Sequence, residues 1–150
     1  MNWRWILMLS LLGVAMGVAS VFGWTQGLEL WLWIGIILVV AILLGYNVRA
    51  KLFMHGFLTA VVWSAVNGIV ILSSWDTYMT HNPKTSESFA KVPEGMDPRW
   101  FMLIGIVIGA LMWGVILGLL TMAAGKLLRE KPQPESFPPI EPEQHDVTGQ

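Results

Sequence analysis

A chain of 150 residues that is 55% apolar and only 13% charged is too poor in charge for an ordinary soluble domain and belongs with membrane proteins. Its formal charge of −1 leaves no electrostatic footprint for phosphate backbones, so no nucleic-acid partner is expected. The absence of cysteine excludes disulfides, thiolate metal sites and thiol-linked lipid anchors.

A helix rises about 1.5 Å per residue and the bilayer core is about 30 Å thick, so a span needs roughly 20 apolar residues. Four stretches approach or pass that length: Trp3 to Phe22, Leu30 to Tyr46, Leu52 to Trp75 and Pro98 to Ala124. None holds an internal proline. Backbone groups in lipid must be satisfied within the segment, which selects helices over the alternating strands of a barrel. The expected fold class is an all-α, four-helix transmembrane bundle over residues 1–131.

The first span follows Arg4, and its Gly17, Ala19 and Ser20 resemble a signal-peptide cleavage site. The apolar run is longer than a signal core, however, and Ser10, Gly13, Gly17 and Ser20 fall on one helical face as a packing stripe, so it reads as a span. A short loop, Gly23 to Glu29, leads to the second span, where only Gly35, Ala41 and Gly45 are small; this span is expected to face lipid most. Arg49 and Lys51 occupy the turn to the third span. That span carries Gly56, Ala60, Ser64, Asn67 and Ser74 on one narrow face, interrupted by Ile71, and invites close approach of a neighbour.

The connection from Asp76 to Asp97 is too long for a turn. Asn82 followed by Pro83 is cap-then-proline grammar, so a short helix from Pro83 to about Lys91 is expected, with Phe89 and Val92 toward the membrane and Pro93 ending it. Asp97 and Pro98 repeat that grammar at the start of span four. Span four offers two small-residue faces, Gly105 with Gly109, and Ala110, Gly114, Gly118 with Thr121. It is expected to pack within the bundle, and its second face also permits a homo-oligomer or a membrane partner protein. Residues 132–150, with five prolines and four acids, are expected to be a disordered tail.

Lys and Arg near span ends mark the cytoplasmic side. Arg4, the Arg49–Lys51 turn, and Lys126, Arg129 and Lys131 place both termini inside, with the first and third connections outside. Arg99 runs against the rule. Trp3, Trp5, Trp24, Trp31, Trp33, Trp75, Tyr46, Tyr78 and Trp100 lie near span ends, where amphipathic rings sit at headgroup level.

Chemistry has few places to reside. Asn67 is the only amide deep in a span and needs a partner; with Trp63 one turn away and Trp113 in span four, it is expected to form an interhelical hydrogen bond, the alternative being a polar cleft that includes Ser64. His55 is either a satisfied interfacial residue or a titrating site. Asp76, His81, Glu87, Glu94 and Asp97 form no recognised metal spacing, and no catalytic motif is present, so neither metal, cofactor nor enzymatic activity is expected. No buried charge marks an ion-coupled pathway. The strings His55-Gly56-Phe57, Trp75-Asp76-Thr77-Tyr78 and His81-Asn82-Pro83 resemble those of small uncharacterised four-span bacterial membrane proteins, a resemblance covering spans one to four but not the tail. It implies a bacterial inner membrane and no assigned activity. Two functions remain: packing or partner binding in the bilayer, or a small carrier or channel with a cleft between spans three and four.

Overall fold

The computed structural model describes residues 1–93 and 95–129 and is all-helical over them. The helices are α1 (Trp3–Val21), α2 (Glu29–Asn47), α3 (Leu52–Ser73), α4 (Trp75–His81), α5 (Pro83–Phe89) and α6 (Pro98–Arg129). Four of them, α1, α2, α3 and α6, are long and apolar enough to cross a bilayer, which makes the chain a multi-pass membrane protein. The tail expectation for residues 132–150 and the loop acid Glu94 lie outside the described residues.

One end of the bundle is basic, with Arg4, Arg49, Lys51, Lys126 and Arg129; α4 and α5 cap the other. The capped end departs most from expectation. The third span stops at Ser73, and the chain restarts at Trp75 as α4, so the connection holds two helices where one was expected. The fourth span runs on to Arg129, five residues past its expected end at Ala124.

Side-chain size explains the packing order. Around the bundle, α3 lies between α1 and α6, α6 lies beside α2, and α1 and α2 barely meet although a short loop joins them. On α1, a Cβ at Gly13 would strike the backbone of Trp63, and one at Gly17 would press on Val70 at 3.0 Å. On the opposite side, Gly56 of α3 faces Leu117 and Gly118 of α6. At the basic end α6 wedges against both α2 and α3 because Gly45 meets Ala124 and Gly125, and Gly125 also meets Leu52. Hydrocarbon supplies no hydrophobic drive between helices, so this close contact of small residues is the main source of cohesion.

Arg129 adds a polar clamp. Its guanidinium donates to the carbonyl oxygens of Gly45 in the last turn of α2 and of Val48 and Arg49 just beyond it, supplying donors where the helix ends. Where lipid exposure was expected to peak on span two, α6 buries the smaller share of its apolar window, 22% against 28% for α2. The long α6 presents one face to its neighbours, and a Cβ added to Gly105 or Gly109 on its capped-end half would meet nothing within 4 Å.

Candidate functional site: an intramembrane cleft

Toward the capped end, α6 leaves a cleft of about 270 Å³ against α2 and α3, beside a close contact in which a Cβ added to Gly68 would stand 2.7 Å from the Ile106 side chain. All four residues expected to cluster there do so: Trp63, Ser64 and Asn67 come from α3 and Trp113 from α6. Gly105 and Gly109 form part of the wall, and a Cβ at either would meet no atom within 4 Å. The face expected to be a packing surface is therefore a cleft wall. Gly114 and Gly118, further along the helix, pack instead on Phe57 and Phe53, whose rings would stand 2.8 and 2.7 Å from an added Cβ.

The expected hydrogen bond to the Asn67 carboxamide oxygen is not formed. Asn67 is only 9% exposed, and its Oδ1 has no donor within reach among the described residues. Leaving such an acceptor unmade costs about 1–3 kcal/mol. Its backbone is already committed to close packing, the carbonyl oxygen lying 3.3 Å from where a Cβ on Gly17 would stand. Trp63 is 1% exposed, and its ring lies 5.3 Å from that of Trp33, tilted by 46°.

Trp33 and Glu29 complete the site, and neither was expected there. Trp33 is half-buried against the core and lines the cleft, where an interfacial anchor was expected. Glu29 was placed in a loop but is the first residue of α2, one turn before Trp33 on the same face, and stands at the mouth of the cleft. The four-residue step between them is the signal that locates this pair. The Ser20 hydroxyl donates to Glu29 Oε1 at 3.2 Å. Glu29 also borders a second cleft of about 310 Å³ shared with Gln26, Asn82, Lys84 and Thr85.

The cap over this mouth is tied down by Asn82. Its side chain, expected to cap α5, makes no cap bond; Nδ2 donates instead to the carbonyls of Ser20 at 2.8 Å and Tyr78 at 2.9 Å. Gln26 donates to the His81 carbonyl. Burial pushes the Tyr78 phenol above its ordinary value of 10.0; a hydrogen bond with Thr85 opposes the shift, and the nearby Glu29 charge adds to it. Phe89 packs edge-on against Trp75 at 5.6 Å. Asp97 does cap α6, accepting from the Arg99 N–H at 2.9 Å. Arg99, the cation that ran against the charge rule, sits 4.0 Å from Asp76 and over the Trp75 ring at 5.8 Å.

His55 is far from the cleft, at the basic end. It was expected at the surface but is 2% exposed. Its Nε2 accepts from the Asn2 backbone N–H at 2.8 Å, and its Nδ1 donates to the Lys51 carbonyl at 3.0 Å, so both ring nitrogens are engaged. Ala60 is fully buried, one turn further along α3. Among the described residues, no group of three or more histidines and carboxylates stands together for a metal. Comparison with protein-family models, with curated proteins and with solved structures finds no match to this chain.

Proposed function

We propose that the protein is a non-enzymatic membrane protein of the bacterial inner membrane, its basic end cytoplasmic, that binds a small bilayer-soluble molecule in the cleft between α2, α3 and α6. The observation that carries this reading is the donor-less Oδ1 of Asn67, on a residue that lines the cleft together with Trp33, Trp63 and Trp113 and with two glycines where an added Cβ would meet nothing within 4 Å. A packing role for Asn67 would call for a satisfied amide. A concave, mostly apolar space with a few placed polar groups is the usual form of a ligand site. Close glycine contacts shut the basic-end half of the same helices, which favours a binding cleft over a channel.

The cysteine-free chain makes the test direct. In Asn67→Cys, a water-soluble thiol reagent added from the capped side labels the protein if the cleft admits solvent and ligand. Complete protection, in a variant that retains its fold, rejects the cleft. A second reading, a partner helix seated on Gly105 and Gly109, is favoured by their lack of neighbours and predicts disulfide-linked dimers of Gly109→Cys in oxidising membranes.

A further inference from the structure

The groups that line the cleft share one electrostatic character. Of the three tryptophans that line the cleft, Trp33 and Trp113 are half-buried and Trp63 is 1% exposed; indole faces are negative at their centres. Asn67 contributes an oxygen with no donor, and Glu29 places a carboxylate at the mouth, its Oε1 held by the Ser20 hydroxyl. Among the described residues, no lysine, arginine or histidine lines the cleft. Oδ1 of Asn67 is itself buried, and a half-turn of the carboxamide, which breaks no bond to Oδ1, exchanges its place with that of the nitrogen.

We propose that this cleft takes a small organic cation, an amine or quaternary ammonium bearing an apolar or aromatic substituent. The inference rests on the ligand-site reading above and supplies the class of ligand. Aromatic faces attract ammonium groups, and more strongly once water is excluded. An anion would meet aromatic lining and a carboxylate of the wrong sign. A neutral apolar molecule would leave the Asn67 oxygen without a counterpart and make no use of the Glu29 charge. The size of about 270 Å³ restricts the ligand to roughly one ring with a compact cationic head. Glu29, shared with the outer cleft, stands where such a ligand passes from water into the bilayer region. Lys84 lines the outer cleft alone and is the one cation a ligand would pass on entry.

The test uses the full chain in detergent with one cysteine at Gly105, a cleft position where a new side chain meets nothing. Labelling by a small thiol reagent is measured with benzyltrimethylammonium and with its uncharged isostere neopentylbenzene, compared at equal mole fraction in the micelle. The expected result is protection by the cation at a mole fraction about tenfold lower than the isostere requires, from the added cation–π attraction. Adding Glu29→Gln, a change at an exposed residue, should weaken cation protection about three- to fivefold and leave the isostere unaffected. Equal protection by both probes, or no effect of Glu29→Gln, overturns the cation assignment while the ligand site stands. Labelling that neither probe slows, or no labelling at all, overturns the ligand site itself.

Discussion

The two halves of α6 use the same residue for opposite ends. In the basic-end half, Gly114, Gly118 and Gly125 bring α6 so close to α3 that a Cβ at any of them would stand 2.5–2.8 Å from a side chain already in place. In the capped-end half, Gly105 and Gly109 keep the same small-xxx-small spacing and meet nothing within 4 Å. A glycine pair is thus a permission for close approach, and the opposing surface decides whether it is used. Phe53 and Phe57 fill the first half of the seam. In the second, Asn67 and Ser64 face a space that α6 does not fill.

The sharpest way to break this comparison is to add a methyl group to each half. Gly56→Ala, whose Cβ would meet the Leu117 carbonyl at 2.7 Å and the Gly118 Cα at 2.9 Å, should lower stability in detergent by about 2–3 kcal/mol. Gly105→Ala and Gly109→Ala should leave it unchanged or raise it by up to about 1 kcal/mol through helix propensity. Similar losses in a denaturation series at all three sites would show that the halves do not differ. Next in size is the clamp at the basic end: Arg129→Ala strips three carbonyls of their donor and should cost about 1–2 kcal/mol in the same assay.

Asn67→Leu sharpens the comparison from the other side. It removes an acceptor that has no donor, so stability should hold or rise by about 1 kcal/mol, while a structural amide would show a clear loss. The smallest effect belongs to the cap. The Tyr78 phenol is raised by burial, so the folded chain prefers its neutral form. The stability this supplies is complete below the ordinary value of 10.0 and is lost as the pH rises through the folded value. Tyr78→Phe should flatten that alkaline loss, as followed by proteolysis of the α4–α5 segment.

The spans were legible because their cause is compositional: length and hydropathy place α1, α2 and α3 to within two residues at each end. The grouping of Trp63, Ser64, Asn67 and Trp113 was legible too, from helical spacing and the scarcity of polar residues at that depth. What sequence spacing does not contain is which helices become neighbours. Glu29 and Trp33 could not be joined to Asn67 until α2 was seen beside α6, an order governed by contacts such as Gly45 on Gly125. His55 was misplaced for a similar reason. Its Nε2 accepts from the Asn2 backbone, which stands at the start of α1, 53 residues away in the sequence. The partner of Asn82 was hidden likewise, since Ser20 lies 62 residues away and the local cap-then-proline grammar points elsewhere.

The central claim, that the seam between α3 and α6 is closely packed in its basic-end half and opens to a solvent-reachable cleft in the other, is tested most directly by thiol reactivity at two positions of α3. Ser64→Cys lies in the cleft wall, and Thr59→Cys replaces a fully buried hydroxyl bonded to the His55 carbonyl at 2.7 Å. With a small water-soluble reagent on folded protein, the cysteine at position 64 should react and the cysteine at position 59 should not. Equal protection of both, or reaction at position 59 alone, would contradict the account.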